Sequence, residues 1–402
     1  MNSASSLYIR NIILSVTSSV LLLSCASSSK AEEKVVFKTS DTLFDAEKSI
    51  TLSFAGDIMA HKPNWNISSF DEVYEDITDI LLQSDAAFVN LETPVTDSLP
   101  YSSYPNFNVH HQYADAAIKA GFNVFSLCNN HTNDQELDGI KATKKYFDEK
   151  RKATADSSRP VYSSGVKDSP SSPFTFDTIN IRGWKIMYLA VTELLNRPNY
   201  NSYINYIKTD SRSRENFIEL IKKLREENPC DLFILSFHTA EEEYVFTTKK
   251  SQRNFYKKLL DAGVDIINAN HPHVPKEWEL YRSKNGASDK MIFYSQGNTI
   301  SAQRTSPSYD APDTIRDYTG EGFITQVKFE KLINDGKPIV KVVQVHPVLI
   351  TTYITNQWHF VIKKLDDSFI EELKKQGKKT WSAYLQKRML LMEKIKGKLI
   401  WE

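Results

Sequence analysis

Apolar, β-like runs alternate with polar, helix-like segments along this 402-residue chain, and run after run stops on a side chain able to bind a metal. The run "TLSFAGD" ends in Asp57, "AFVNLE" in Asn90 and Glu92, and "VFSLCNNH" in Asn129, Asn130 and His131. "FILSFH" ends in His238, "IINANHPH" in Asn270, His271 and His273, and "IFYSQGN" in Gly297 and Asn298. Helical patterns lie between them at residues 68–84, 113–121, 138–153, 214–228 and 251–263, with three further β-like runs between residues 161 and 193. Alternation of this kind predicts an α/β layered sheet. Late runs at 290–298, 321–330 and 339–353, with no helix between them, add a mixed or second sheet. Ligands gather beyond the carboxyl ends of strands in open α/β sheets, so the predicted fold brings these side chains to one rim.

The residue types narrow the chemistry. Carboxylate, amide oxygen and imidazole together suit a divalent transition metal, Zn, Mn or Fe, rather than Ca. One Asp, one Glu, an Asn-His pair and three more His are enough donors for two ions. A metal pair about 3.5–4 Å apart clamps the attacking and leaving oxygens of an in-line displacement, as in phosphoester hydrolysis. Taken singly, each residue has a plainer use. Asp57 suits a turn or an N-cap, Glu92 an exposed loop, His131 a helix cap and His238 a core position. Their joint placement at successive strand ends carries the argument. His61, four residues beyond Asp57, is intermediate.

Lys+Arg and Asp+Glu both number 50, so no global field favours nucleic acid. The chain opens with Arg10 and an apolar run at 12–23, then Leu22-Leu23-Ser24-Cys25, which resembles a bacterial lipoprotein signal. Residues 1–24 are expected to be the signal peptide, Cys25 to carry lipid, and 25–48 to form a polar tether. An ordinary cleaved signal or a retained anchor helix is the alternative. Cys128 and Cys230 read as small buried hydrophobes. Residues 366–402 are helix-patterned and Lys-rich, and 381–402 fits an amphipathic helix that packs on the domain or meets a membrane surface or partner.

The motifs "GDIM" (56–59), "NLETP" (90–94), "NNHTND" (129–134), His238 ahead of "EEEY", "NANHPHV" and "YSQGN" resemble, in this order, the bacterial CapA-like capsule synthesis family. That family is associated with poly-gamma-glutamate capsule, and its domain is similar to the calcineurin-like metallophosphatases. The resemblance covers roughly residues 49–300 and implies a layered α/β sandwich with mixed sheets, within an expected domain over 49–352 that is followed by a C-terminal helical extension over 353–402. It implies metal contacts from Asp57, Glu92, Asn130, His131, His238, His271 and His273, holding two divalent ions. Asn129, Asp134, Glu242 and Asn298 would support them or face the substrate, and His131 and His238 are the candidate acids. There are departures. Ile58-Met59 replace the Asp-x-His opening of the metallophosphatases, and Thr239-Ala240 stand where the family has Trp-Gly.

The expectation is an envelope protein, lipid-anchored at Cys25, acting as a metal-dependent hydrolase of phosphoesterase type in capsule or surface-polymer synthesis. The alternative is a non-catalytic accessory of polymer assembly or export. The membrane and polymer-assembly proteins are the expected partners, and nucleic acid is not.

Overall fold

The computed structural model describes residues 48–402 and the backbone of a short strand at Val35–Val36. The expected signal peptide, Cys25 and nearly all of the tether lie outside the described residues.

Two mixed sheets face each other. The first runs in the order Val35–Val36, Lys337–Ile354, Glu321–Asn334, Ser49–Met59, Ala86–Glu92, Val124–Ser126, Tyr162–Ser164. Asn298–Ile300 also pairs with Ser49–Met59, and Phe360–Lys364 with Lys337–Ile354. The second runs Gly397–Trp401, Trp278–Arg282, Lys290–Phe293, Ile266–Asn270, Leu232–His238, Trp184–Thr192, Phe176–Ile181. This is the layered α/β sandwich with mixed sheets that the sequence predicts.

Inner parallel strands such as Ala86–Glu92 and Leu232–His238 are buried along their whole length, which is why they read as unbroken apolar runs. Aromatic side chains join the two sheets. Phe54 stacks on Phe88 at 5.1 Å between ring centres and meets Phe293 at 5.2 Å, while Phe88 packs edge-on to Tyr188 at 5.4 Å. Helices Ser211–Glu227 and Lys250–Asp261 lay Phe217, Ile221, Phe255 and Leu259 over the outer face of the second sheet. The helix expected at 68–84 forms as short pieces, Asp71–Tyr74, Glu75–Ile77 and Thr78–Leu82.

Register sets the rim. Asp57 lies opposite Asn90 on one side and Asn298 on the other. In the second sheet Thr192, His238 and Asn270 stand in one row. The two rows end the sandwich at the same edge.

The C-terminal segment is more than one helix. Helices Asp367–Lys375 and Lys379–Met392 pack Phe369, Ile370, Leu373, Tyr384 and Leu385 against Tyr353 and Val361. Their apolar face is therefore used in packing. Residues 397–401, which continue the helical pattern in sequence, instead form a strand parallel to Trp278–Arg282. Beneath them Glu321 sits between two buried guanidiniums, 2.5 Å from Arg304 and 2.6 Å from Arg388. Cys128 is buried and Cys230 half-buried, both as free thiols. No described helix is long and apolar enough to cross a membrane.

Gly56 and Gly297 allow two backbones to touch at the rim. Asp57 N donates to Gly297 O at 3.1 Å, and a Cβ on Gly56 would lie 1.8 Å from that same oxygen. Gly56→Ala is therefore expected to lower the unfolding free energy by about 1–3 kcal/mol, the usual range for overpacking. A urea titration giving an unchanged midpoint would refute the close approach.

Candidate metal centre

The two rows of strand ends bring Asp57, Glu92, His238, His271 and His273 into one cluster, every one of them buried. Three overlapping sets of donor atoms lie within 4.8 Å of one another: Glu92, His238 and His271; Asp57, Glu92 and His273; and Glu243, His271 and His273. The His-Pro-His turn is what makes this possible. His271 and His273 both adopt left-handed backbone, at φ 102° and 55°, so both rings point back to the cluster across Pro272. Such backbone is uncommon for histidine and gathers at functional sites. Asp57 Oδ2 accepts from the His271 backbone N–H at 3.3 Å, which ties the turn to the first sheet.

Polar neighbours orient the donors. His273 Nδ1 faces two oxygens, 3.1 Å from Asp57 Oδ2 and 3.1 Å from Asn298 Oδ1, which fixes the ring with Nε2 3.6 Å from Glu92 Oε1. Asn90 is a hub, donating to Asp57 Oδ1 at 2.8 Å and to Glu92 Oε2 at 3.2 Å. Asn129 supports that hub, donating to Asn90 Oδ1 at 3.2 Å and to the Leu91 carbonyl at 2.8 Å. Asn130 Oδ1 faces His238 Nε2 at 2.9 Å.

His131 enters none of the three donor sets. Its Nδ1 lies 2.6 Å from Asp134 Oδ2, and Asn196 Nδ2 lies 3.2 Å from the same nitrogen. Asp134 is itself held by the Phe107 N–H at 2.8 Å. Glu242, which the family resemblance picked out, is exposed and belongs to no donor set, whereas its neighbour Glu243 joins His271 and His273. The loop turns at Tyr244, φ 62°, and no local pattern shows which of three successive glutamates reaches His271 and His273. Asn196, which touches both Asn130 and His131, is the other residue the sequence reading missed; it lies in the loop after Trp184–Thr192.

Electrostatics prepare the cluster for a cation. Burial, and then the neighbouring His273, His271 and His131, hold His238 well below the usual imidazole range. Burial and then His273 bring His271 down to about 3. Both are neutral at ordinary pH, the form that ligates metal. Burial, then Asp57 and Glu243, raise Glu92 well above the usual carboxylate range. Burial opposes ionisation of Glu243, yet His273 and the Tyr244 hydroxyl bring it below its usual range. Glu92 Oε1 and His271 Nδ1 are buried with no hydrogen-bond partner. Orphaned buried polar atoms of this kind need a partner, and these donor types fit a divalent metal ion.

A layered α/β sandwich with a buried histidine–carboxylate cluster at its strand ends defines a metallophosphatase-like class. Residues 51–303 match the family of bacterial capsule synthesis proteins PGA_cap, and the chain belongs to that family. The capsule biosynthesis protein CapA of Bacillus anthracis is 27% identical over 309 residues, covering 72% of this chain and 69% of that protein. The PGA biosynthesis protein CapA of Bacillus subtilis (strain 168) is 27% identical over 300 residues, covering 73% and 72%.

Elemental analysis is expected to find divalent metal in the purified protein and its loss in a His271→Ala, His273→Ala double variant that still melts cooperatively. Chelation should lower the melting temperature of the parent, since an ion bound only to the native state stabilises it. The pH dependence of the metal-free protein is a separate check. His61, brought down to about 3 by burial and then by His273 and His131, is neutral when folded and protonated when unfolded below about pH 6.5. The unfolded state therefore binds more protons across that window. His61 makes stability fall as pH drops from 6.5 toward 3, by up to about 1.4 kcal/mol per unit. His61→Gln keeps an acceptor for the Ala302 N–H and should show a shallower loss of stability between pH 6 and pH 4.

Proposed function

We propose that this protein is a divalent-metal-dependent hydrolase of phosphoesterase type, working at the cell envelope in the making of capsule or another surface polymer. The observation that carries the reading is the buried cluster of Asp57, Glu92, His238, His271 and His273 with two orphaned donor atoms. Those side chains, with Glu243 at the solvent side, would hold the ions, and Glu92 belongs to two of the donor sets. Two such ions, Zn, Mn or Fe, would supply Lewis acidity and a water of lowered pKa.

The chain's own residues do the rest. His131 is the acid for the leaving oxygen: Asp134 holds its ring at Nδ1, and Asn196 Nδ2 lies along the ring edge, 3.2 Å from Nδ1 and 3.4 Å from Nε2. His238, the other candidate acid, stands among the donor atoms, so the proton role falls to His131 alone. Phe107 packs 4.5 Å from the His131 ring and keeps water from its face. Envelope placement rests on the lipoprotein-like stretch at Cys25 and on the capsule-related names of the relatives. Cys25 would supply the membrane anchor.

His131→Gln is expected to keep the metal and the fold while lowering kcat on aryl phosphodiesters by about 10²–10⁴-fold. Metal analysis, a thermal melt and steady-state kinetics on the same preparation check it. A metal-loaded parent that hydrolyses no phosphoester would rule out the hydrolase and leave the accessory of polymer assembly.

A further inference from the structure

A line of polar contacts leads from the donor cluster to solvent. Asn298, whose Oδ1 meets His273, donates from Nδ2 to Gln303 Oε1 at 2.8 Å. Gln303 Nε2 donates to the Tyr244 hydroxyl at 3.2 Å, and Arg316 Nη1 donates to the same hydroxyl at 3.1 Å. The guanidinium also lies 4.7 Å from the centre of the Tyr244 ring. Tyr244 is fixed to the His-Pro-His turn, since its N–H donates to Pro272 O at 2.9 Å and its ring stands 6.3 Å from that of His273. A stacked, hydrogen-bonded guanidinium has lost much of its freedom and still offers free N–H donors.

Arg316 is exposed, and among the described residues it forms no ion pair. Arg304 and Arg388 behave otherwise, both spent on Glu321. The acid nearest Tyr244 in sequence, Glu243, is directed at His271 and His273. The charge of Arg316 reaches inward far enough to act on His61. The segment bearing it is built from beneath. Thr314 and Asp317 cap each other in a capping box, and Tyr384 donates to Asp317 at 2.7 Å. Arg388 donates to Pro312 O at 2.8 Å and lies 4.0 Å from the Tyr318 ring. Arg316 and the residues that support its segment lie beyond residue 303, where the family match ends.

We propose that Arg316 is a specificity-determining residue that binds a second anionic group of the substrate, beside the phosphoryl group held at the metal centre. The substrate is then a phosphoester with a neighbouring oxyanion, either carboxylate or another phosphate, rather than a neutral-flanked monoester. A guanidinium fork suits both anions and an ammonium less so. This proposal rests on the hydrolase reading above.

The test uses the full chain loaded with Mn²⁺ and calorimetric titration with phosphonate analogues of glycerol 3-phosphate, 3-phosphoglycerate and glycerol 1,3-bisphosphate. The parent is expected to bind at least one of the probes with two anionic groups about tenfold tighter than the probe with one. Arg316→Gln should abolish that preference and leave metal content and affinity for the one-group probe unchanged, with Arg316→Lys intermediate. The probe preferred by the parent tells carboxylate from phosphate. A parent without preference, or a preference that survives Arg316→Gln, overturns this proposal while the hydrolase reading stands. A parent that binds neither metal nor any probe overturns both.

Discussion

Asp57 and Glu92 end neighbouring strands, both fully buried, and carboxylates so close in a dry site repel each other while lacking water. Much of the molecule's polar architecture answers that conflict. Asn90 lies between them and donates to each, Asn129 holds Asn90, and the His271 N–H and the His273 ring meet Asp57. What these contacts leave unanswered is Glu92 Oε1, buried without a donor. His238 and His271, neutral at ordinary pH, add lone pairs and no charge. The cluster is thus rich in acceptors and short of cations, which is the electrostatic definition of a place for a positive ion.

The two sheets contribute unequally. Asp57, Asn90 and Glu92 come from the first sheet and are held by strand register, so their spacing is rigid. His238 ends a strand of the second, but His271 and His273 hang on a turn beyond its neighbour Ile266–Asn270. That turn is braced by Asp57 from one side, by Asn298 from another, and by Tyr244 across Pro272. Gly56, Gly297 and Gly322 bring the Ser49–Met59 strand, the 295–297 turn and the start of Glu321–Asn334 close enough for that bracing. Below Gly322 lie Glu321 and its two guanidiniums, which tie the C-terminal helix to the same corner.

Much of this was legible in sequence because parallel strands carry a strong, local signature. Asp57, Glu92, His238, His271 and His273 could be picked out since each closes an apolar run, and runs buried on both faces end at a common edge. Glu243 in place of Glu242 was not legible, because three successive glutamates lead into a left-handed turn at Tyr244, and non-glycine residues leave no mark of such a turn. Asn196 sits in an irregular loop, where periodicity has no meaning. The strand at residues 397–401 was hidden by nonlocal pairing: "KLIW" continues the helical spacing, and its partner Trp278–Arg282 lies far back in the chain. Gly397 lets the two strands close, since a Cβ there would fall 2.0 Å from the Trp278 ring.

That strand has a consequence for the order of assembly. Trp278–Arg282 has Lys290–Phe293 on one side and Gly397–Trp401 on the other. Until residues 397–401 arrive, its second edge is open, and Trp278, Leu280 and Tyr281 stand on an unpaired strand of the kind that recruits other chains. Docking of residues 397–401 is therefore the step that protects this edge of the second sheet.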